Sequence, residues 1–131
     1  MEKQILASEW KIMEYVWTHP DCTLMQIVKA MKEETGWAKS TVTTMVSRME
    51  NKGLLLFAEN GGRAKRIGAA VTREEAGTAE TKSLLDKIYR GSVGMLVSSL
   101  VAQEKLSRKE IEELYDILKK AEEAKDAGND V

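Results

Sequence analysis

Lys39-Ser40-Thr41-Val42-Thr43-Thr44-Met45-Val46-Ser47-Arg48-Met49-Glu50-Asn51-Lys52-Gly53 is the stretch whose reading decides the fold. Val42, Met45, Val46 and Met49 recur at i, i+3, i+4 and i+7, one apolar stripe of a helix, and Lys52-Gly53 supplies its stop. The opposite face carries Ser40, Thr44, Ser47 and Asn51, flanked by Thr43 and Arg48. A merely solvated face more often uses Glu, Lys and Gln, which form helices better than a run of Ser and Thr. Short hydroxyl side chains let a helix approach a partner closely. They donate to or accept from base edges in a major groove, and threonine methyls touch thymine methyls. The pattern predicts a nucleic-acid-reading helix with Lys39, Ser40, Thr41, Thr43, Thr44, Ser47 and Arg48 as its contact residues. Lys39, at the helix start, is unfavourably placed for the helix dipole, which a nearby phosphate explains.

Two helices precede this one. Trp10, Met13 and Trp17 lie at helical spacing, Ile12 and Val16 broaden their face, and Ser8 is placed as an N-cap. His19-Pro20-Asp21 stops that helix. Thr23-x-x-Gln26 is a capping box, with Cys22 and Ile27 as its hydrophobic staple, for a second helix running to about Lys32. Downstream, the apolar runs Leu54 to Ala58 and Lys65 to Val71 flank Asn60-Gly61-Gly62, which tolerate positive φ, and so predict a β-hairpin. Arg63, Lys65 and Arg66 fall just past its tip, where they can meet phosphates or a minor groove. Three short helices followed by a two-stranded hairpin is the order of a winged helix-turn-helix.

From Thr72 the pattern is helical. Thr72-x-x-Glu75 caps a fourth helix that becomes apolar at Leu84, Leu85, Ile88 and Tyr89. Ser92 caps a fifth, with Val93, Leu96, Val97, Leu100 and Val101 in one wide stripe beside Met95. Ser107-x-x-Glu110 opens a sixth, carrying Ile111, Leu114, Tyr115 and Leu118, and the polar tail from Glu122 is expected to fray. Some 55 residues cannot bury such faces by themselves, so a second copy of the chain is the expected cover. The predicted dimerisation residues are Leu84, Leu85, Ile88, Val93, Leu96, Val97, Leu100, Val101, Ile111, Leu114, Tyr115 and Leu118. The fold class is therefore mainly α with a small β-hairpin wing. Residues 1–71 form a winged-helix DNA-binding domain, and residues 72–131 form a helical dimerisation region.

Composition agrees. The chain has 131 residues, 43% hydrophobic and 31% charged, with one proline, which excludes disordered and low-complexity classes. Its longest nearly apolar stretch, Val93 to Val101, is half the length of a membrane span, and nothing reads as a targeting segment; the expectation is a cytoplasmic protein without membrane insertion. One cysteine, Cys22, and one histidine, His19, make neither an intrachain disulfide nor a typical zinc site, so no metal or cofactor is expected. The net charge is −1, but Lys39 to Arg66 holds six basic side chains against two acidic ones. Enzyme readings fail for want of a constellation. The Glu pairs fall on polar helix faces, His19 has no partner nucleophile, and Gly61-Gly62-Arg63 lacks the ending and setting of a phosphate loop. No catalytic residue is predicted. The competing class is a winged-helix module that binds protein rather than specific DNA, which would not need basic charge gathered between Lys39 and Arg66.

Ser8-Glu9-Trp10 with Val16-Trp17, then Trp37-x-x-x-Thr41-Val42-x-Thr44, Arg48-Met49 and Lys52-Gly53-Leu54, resemble the penicillinase-repressor family (BlaI/MecI) with its copper-repressor branch. Gly62-Arg63-Ala64, Val71-Thr72-Arg73-Glu74-Glu75, Leu84-Leu85-Asp86-Lys87 and Lys109-Glu110-Ile111-Glu112-Glu113-Leu114 continue the resemblance in order. It implies a bacterial repressor that dimerises through C-terminal helices and binds an inverted-repeat operator, with antibiotic-resistance genes as the controlled class and a membrane sensor or protease as the agent of release. Three departures qualify that. Lys65, Ile67 and Ala69 stand where the family's wing often has aromatic residues and a proline. The tail Ala121 to Val131 lacks the copper branch's cysteines. Ser99-Leu100 aligns with the Asn-Phe bond cleaved in the antibiotic-responsive branch, so proteolytic induction does not follow from the resemblance.

Overall fold

The computed structural model describes residues 4–59 and 65–128. Three helices, α1 (Glu9–Thr18), α2 (Leu24–Thr35) and α3 (Lys39–Asn51), lead into the strands β1 (Leu55–Ala58) and β2 (Arg66–Ala69). Then come α4 (Arg73–Ile88), α5 (Val93–Ala102) and α6 (Arg108–Gly128). This is a mainly helical winged helix with a two-stranded hairpin and a long C-terminal helix. Its contacts divide it into two units, Met1–Glu80 and Thr81–Val131.

The first unit holds the core. Ile12, Met13 and Val16 of α1, Ile27, Val28 and Met31 of α2, and Val42, Val46 and Met49 of α3 are buried together with Leu54, Leu55 and Ile67. The stripe predicted for the third helix therefore faces inward, except that Met45 is only partly buried. Between α2 and α3 the chain turns in three residues. Gly36, at φ 80°, takes the left-handed conformation that closes a helix without a Cβ penalty, and its N–H donates to the Lys32 carbonyl. Thr35 Oγ1 then accepts from the Trp37 N–H. A helix, a tight glycine turn and a second helix packed on the first make the helix-turn-helix.

The strands pair antiparallel, Leu55 opposite Ala69 and Phe57 opposite Ile67. Leu55 and Ile67 point into the core, and Leu56 and Ala58 point out. Cys22 adds a bridge to Ile67: the Ile67 N–H donates to the Cys22 carbonyl at 2.7 Å, so the α1–α2 connection forms a third edge of the wing. Cys22 was expected only as a staple. Burial pushes its thiol above the usual thiol range.

Four predicted caps form. Thr23 and Gln26 make both bonds of the capping box, as do Thr72 with Glu75 and Ser107 with Glu110, while Ser92 Oγ accepts from the Met95 N–H. Ser8 does not cap. It occupies the N-cap position without a side-chain bond, and the Glu9 carboxylate instead accepts from the Leu6 N–H at 2.9 Å. Two ends also differ from expectation. α2 runs on to Thr35 rather than Lys32, because the helix-ending residue is Gly36. α6 continues to Gly128, past the Glu122 where fraying was expected, because Lys120-Ala121-Glu122-Glu123-Ala124-Lys125 consists of strong helix formers.

In the second unit, among the described residues, no side chain of α5 or α6 is buried. Leu84, Ile88, Val93, Val101, Ile111, Tyr115 and Leu118 are exposed. Leu85, Leu96, Val97, Leu100 and Leu114 are half-covered. Met95 and Ile117 are exposed alongside them. The Ser99–Leu100 bond lies inside α5, where Ser99 Oγ accepts from the Tyr89 hydroxyl and from Gln103. No described helix is long and apolar enough to cross a membrane.

Candidate nucleic-acid interface

α3 presents its polar side to solvent. Lys39, Ser40, Thr41, Thr44, Ser47 and Arg48 are exposed and Thr43 is half-exposed, while Val42, Val46 and Met49 anchor the opposite side. None of those seven polar side chains hydrogen-bonds or ion-pairs with another described residue. The structure thus gathers the predicted residues of this helix on one face. Glu50 and Asn51 are exposed at its end.

The start of α3 differs from those of α2, α4, α5 and α6. Ala38 at its N-cap has no side chain that accepts a bond, and no acidic residue lies in its first turn. The leading N–H groups of this helix therefore keep their donors, and Lys39 stands beside them. Positive dipole, unspent donors and a cation at one helix end together attract an anion such as a backbone phosphate.

The opposite end is locked. Glu9, only 2% exposed, accepts from Lys52 Nζ at 2.7 Å, and Lys52 also donates to the Gln4 carbonyl. Lys52 thus serves structure: it counted among the six basic residues of the Lys39 to Arg66 stretch, and its charge is balanced internally. A buried carboxylate requires such a partner, since an unpaired charge there costs several kcal/mol (roughly). The pair fixes the C-terminal end of α3 to the start of α1. Sequence reading missed it because the partners lie 43 residues apart.

On the wing, Lys65 is exposed and its ammonium lies 5.8 Å from the Phe57 ring centroid. Arg66 is half-buried and donates to the Asp21 carbonyl at 3.2 Å, tying β2 to the α1–α2 loop. Arg63 and the Asn60-Gly61-Gly62 tip lie outside the described residues. His19 stacks on Tyr15 at 4.0 Å between centroids, and its Nδ1 lies 3.0 Å from both the Thr18 hydroxyl and the Tyr15 carbonyl; that hydroxyl already donates to the Glu14 and Tyr15 carbonyls of its own helix.

A further cluster lies where α1 meets the start of α4. Arg73 donates to Glu14 from both terminal guanidinium nitrogens, at 2.6 and 2.7 Å, and sits 4.9 Å over the Trp17 ring. Trp17 Nε1 donates to the Val71 carbonyl at 2.9 Å. The Arg73 hydrogen bond holds the Glu14 carboxyl below the usual carboxylate range, and Glu14 raises Arg73 in turn. The partners are 59 residues apart, so neither motif nor periodicity exposes them.

Comparison with known proteins bears on this arrangement. Residues 5–120 match a family model described as Penicillinase repressor. The methicillin resistance regulatory protein MecI of Staphylococcus aureus (strain N315) is 26% identical over 117 residues, 89% of this chain and 94% of that protein. The penicillinase repressor of Bacillus licheniformis is 27% identical over 115 residues, covering 88% and 89% of the two chains. The solution structure of the Bacillus licheniformis BlaI monomeric form in complex with the blaP half-operator aligns with a TM-score of 0.50 at 24% identity, over 55% of this chain and 87% of that one. That likeness is one of fold.

Proposed function

The chain belongs to the penicillinase repressor family of winged-helix transcriptional repressors, and from that premise we propose that two copies bind an inverted-repeat operator and obstruct transcription. In this reading Ser40, Thr41, Thr43, Thr44 and Ser47 of α3 meet base edges, while Lys39 and Arg48 hold flanking phosphates. The wing cations Arg63, Lys65 and Arg66 grip the backbone beyond the reading helix. The observation that carries it is the uncommitted hydroxyl face of α3, backed by the buried Val42, Val46 and Met49.

The apolar faces of α4, α5 and α6 hold the two copies together through the twelve dimerisation residues from Leu84 to Leu118. A two-fold axis then places the reading helices on half-sites separated by whole turns of DNA, about 34–36 Å for each. The regulated genes, on the model of the methicillin and penicillinase regulators, are of the antibiotic-resistance class, and the protein works in the cytoplasm. Release requires a sensor or protease. The Ser99–Leu100 bond, enclosed in α5, would have to unwind before cleavage, since nicking concentrates at exposed loop tips.

The test is fluorescence anisotropy with DNA from upstream of the protein's own gene against a scrambled duplex, at about 50 and 200 mM salt. The expected result is a preference of about a thousandfold or more for the native duplex. Thr44→Ala changes which sequence is preferred, whereas Lys65→Ala weakens all DNA and lowers the salt slope by about one. Equal, weak binding of both duplexes at both salts, with capture of a protein partner instead, would overturn the reading in favour of a protein-binding winged helix.

A further inference from the structure

We propose that the tie between Glu9 and Lys52 is a positioning device that decides which base pairs the C-terminal half of α3 accepts; the proposal rests on the reading of α3 as the base-contacting helix. Both partners lie in the first unit, Met1–Glu80. Lys52 is the C-cap residue of α3, and its Nζ donates to Glu9 Oε1 at 2.7 Å and to the Gln4 carbonyl at 2.9 Å. The same Glu9 oxygen accepts from the Leu6 N–H at 2.9 Å, and Ile5 between these anchors is buried in the core. One ammonium thus gathers the end of α3, the start of α1 and the segment before it.

A buried ion pair is a weak source of stability, because desolvation offsets much of what the charges gain. Its best-attested use is to single out one arrangement among several that apolar packing alone would accept. α3 has need of that. Val42, Val46 and Met49 hold it to the core by non-directional contacts. Among the described residues, no side chain from Lys39 to Asn51 makes a hydrogen bond that would stop the helix rolling about its axis. The two ends are held differently. At the N-terminal end the turn between α2 and α3 is three residues long, with the Gly36 N–H on the Lys32 carbonyl and the Trp37 N–H on Thr35 Oγ1, so Lys39 and Ser40 are tied closely to α2. At the C-terminal end the polar link to another helix is Lys52, whose backbone N–H donates to the Arg48 carbonyl in the turn that carries Ser47.

A small roll matters to base reading and little to phosphate contact. A side-chain tip lies about 5 Å from a helix axis, so a roll of about 15° carries it through about 1.3 Å. Hydrogen-bond lengths span only about 0.5 Å, and a base-edge bond from Ser47 does not survive such a shift. The attraction of a cation for a phosphate falls only as the inverse of distance, so Lys39, Arg48 and the wing keep their hold on DNA of any sequence. Removing the tie therefore costs discrimination at one end of the half-site and leaves non-specific affinity in place. A loss of folding would lower both together.

The experiment uses the full chain. A half-site is selected from a randomised duplex library, and a panel is made in which each of its base pairs is changed in turn. Ser40→Ala and Ser47→Ala mark the base pairs read by the two ends of α3. Lys52→Met, the double variant Glu9→Gln with Lys52→Met, and Lys52→Arg are titrated by fluorescence anisotropy against the panel and a scrambled duplex, each well below its own thermal midpoint. Wild type is expected to lose about tenfold or more in affinity at each marked base pair. Lys52→Met is expected to discriminate by less than about threefold at the base pairs marked by Ser47→Ala, to keep wild-type discrimination at those marked by Ser40→Ala, and to bind the scrambled duplex within about twofold of wild type. The double variant leaves no buried charge unpaired and should melt above Lys52→Met, yet it is expected to lose the same discrimination; Lys52→Arg, which keeps a charged donor, is expected to recover it. Wild-type discrimination at the Ser47 base pairs in both Lys52→Met and the double variant, or an equal loss at every base pair, overturns the proposal and leaves the operator reading standing. A wild type without base preference, or preferences that neither serine variant alters, overturns both together.

Discussion

The two units of this chain spend their apolar residues in opposite ways. In residues 1–80 each of α1, α2 and α3 buries three large apolar side chains, and fully buried Ile12, Met13, Met49, Leu54 and Ile67 meet at one centre. In residues 81–131 side chains of the same kinds, Ile88, Val93, Tyr115 and Leu118, stay more than half exposed. Composition does not separate them; completeness does. The first unit closes its own core, so α3 rests on a finished scaffold. The second leaves its apolar faces uncovered; in the dimeric reading proposed above a second copy covers them, and the stability of this unit then depends on protein concentration.

The largest expected effect breaks this contrast directly. A fragment of residues 1–80 should unfold cooperatively at a midpoint independent of concentration. A fragment of residues 81–131 should show a transition that strengthens as concentration rises. Circular dichroism melts over a hundredfold range of concentration decide it; a concentration-independent transition in the second fragment would abolish the distinction.

Matched truncations sharpen it. Met13→Ala removes a fully buried side chain and should cost about 2–5 kcal/mol in chemical denaturation. Leu118→Ala, on the exposed face, should leave half-site binding and the 1–80 transition unchanged and weaken self-association, read by sedimentation. Next comes the Glu9–Lys52 lock. Glu9→Ala leaves Lys52 without its carboxylate and frees the Leu6 N–H, for a loss of about 1–3 kcal/mol, less than for a fully enclosed pair because Lys52 reaches solvent. Glu9→Gln, whose amide oxygen still accepts from Leu6, should lose less.

The smallest effect is a pH dependence. Burial raises the Cys22 thiol above its ordinary value of 9.0, so the folded state holds that proton more tightly than the unfolded chain does. Its contribution is complete below about pH 9 and is lost as the pH rises through the folded value. Wild-type Tm should fall more between pH 8 and pH 10.5 than that of Cys22→Val. Equal falls would assign the alkaline loss to other groups.

Sequence reading was strongest where the governing interaction is local. The boxes at Thr23, Thr72 and Ser107 each close within four residues, and the α3 stripe repeats within two turns, so both are legible without a partner. Ser8 misled because serine was well placed as an N-cap, yet the neighbouring Glu9 turned back to Leu6 and then to Lys52. The α6 extension was missed because apolar spacing was weighed above propensity. Arg73 appeared in a family motif without a role, since its partners Glu14 and Trp17 meet it only when α1 packs beside the start of α4. The caps and the apolar stripe of α3 were therefore legible in the chain alone, whereas the long-range pairs that join α1 to the end of α3 and to the start of α4 were not.

Sedimentation velocity of the full chain on an inverted-repeat duplex and on the isolated half-site tests the central claim most directly. The account predicts two copies on the repeat, bound with a steeper concentration dependence than the single copy on the half-site, and loss of that difference in the 1–80 fragment. One copy on each duplex, or identical behaviour of the full chain and the fragment, would contradict it.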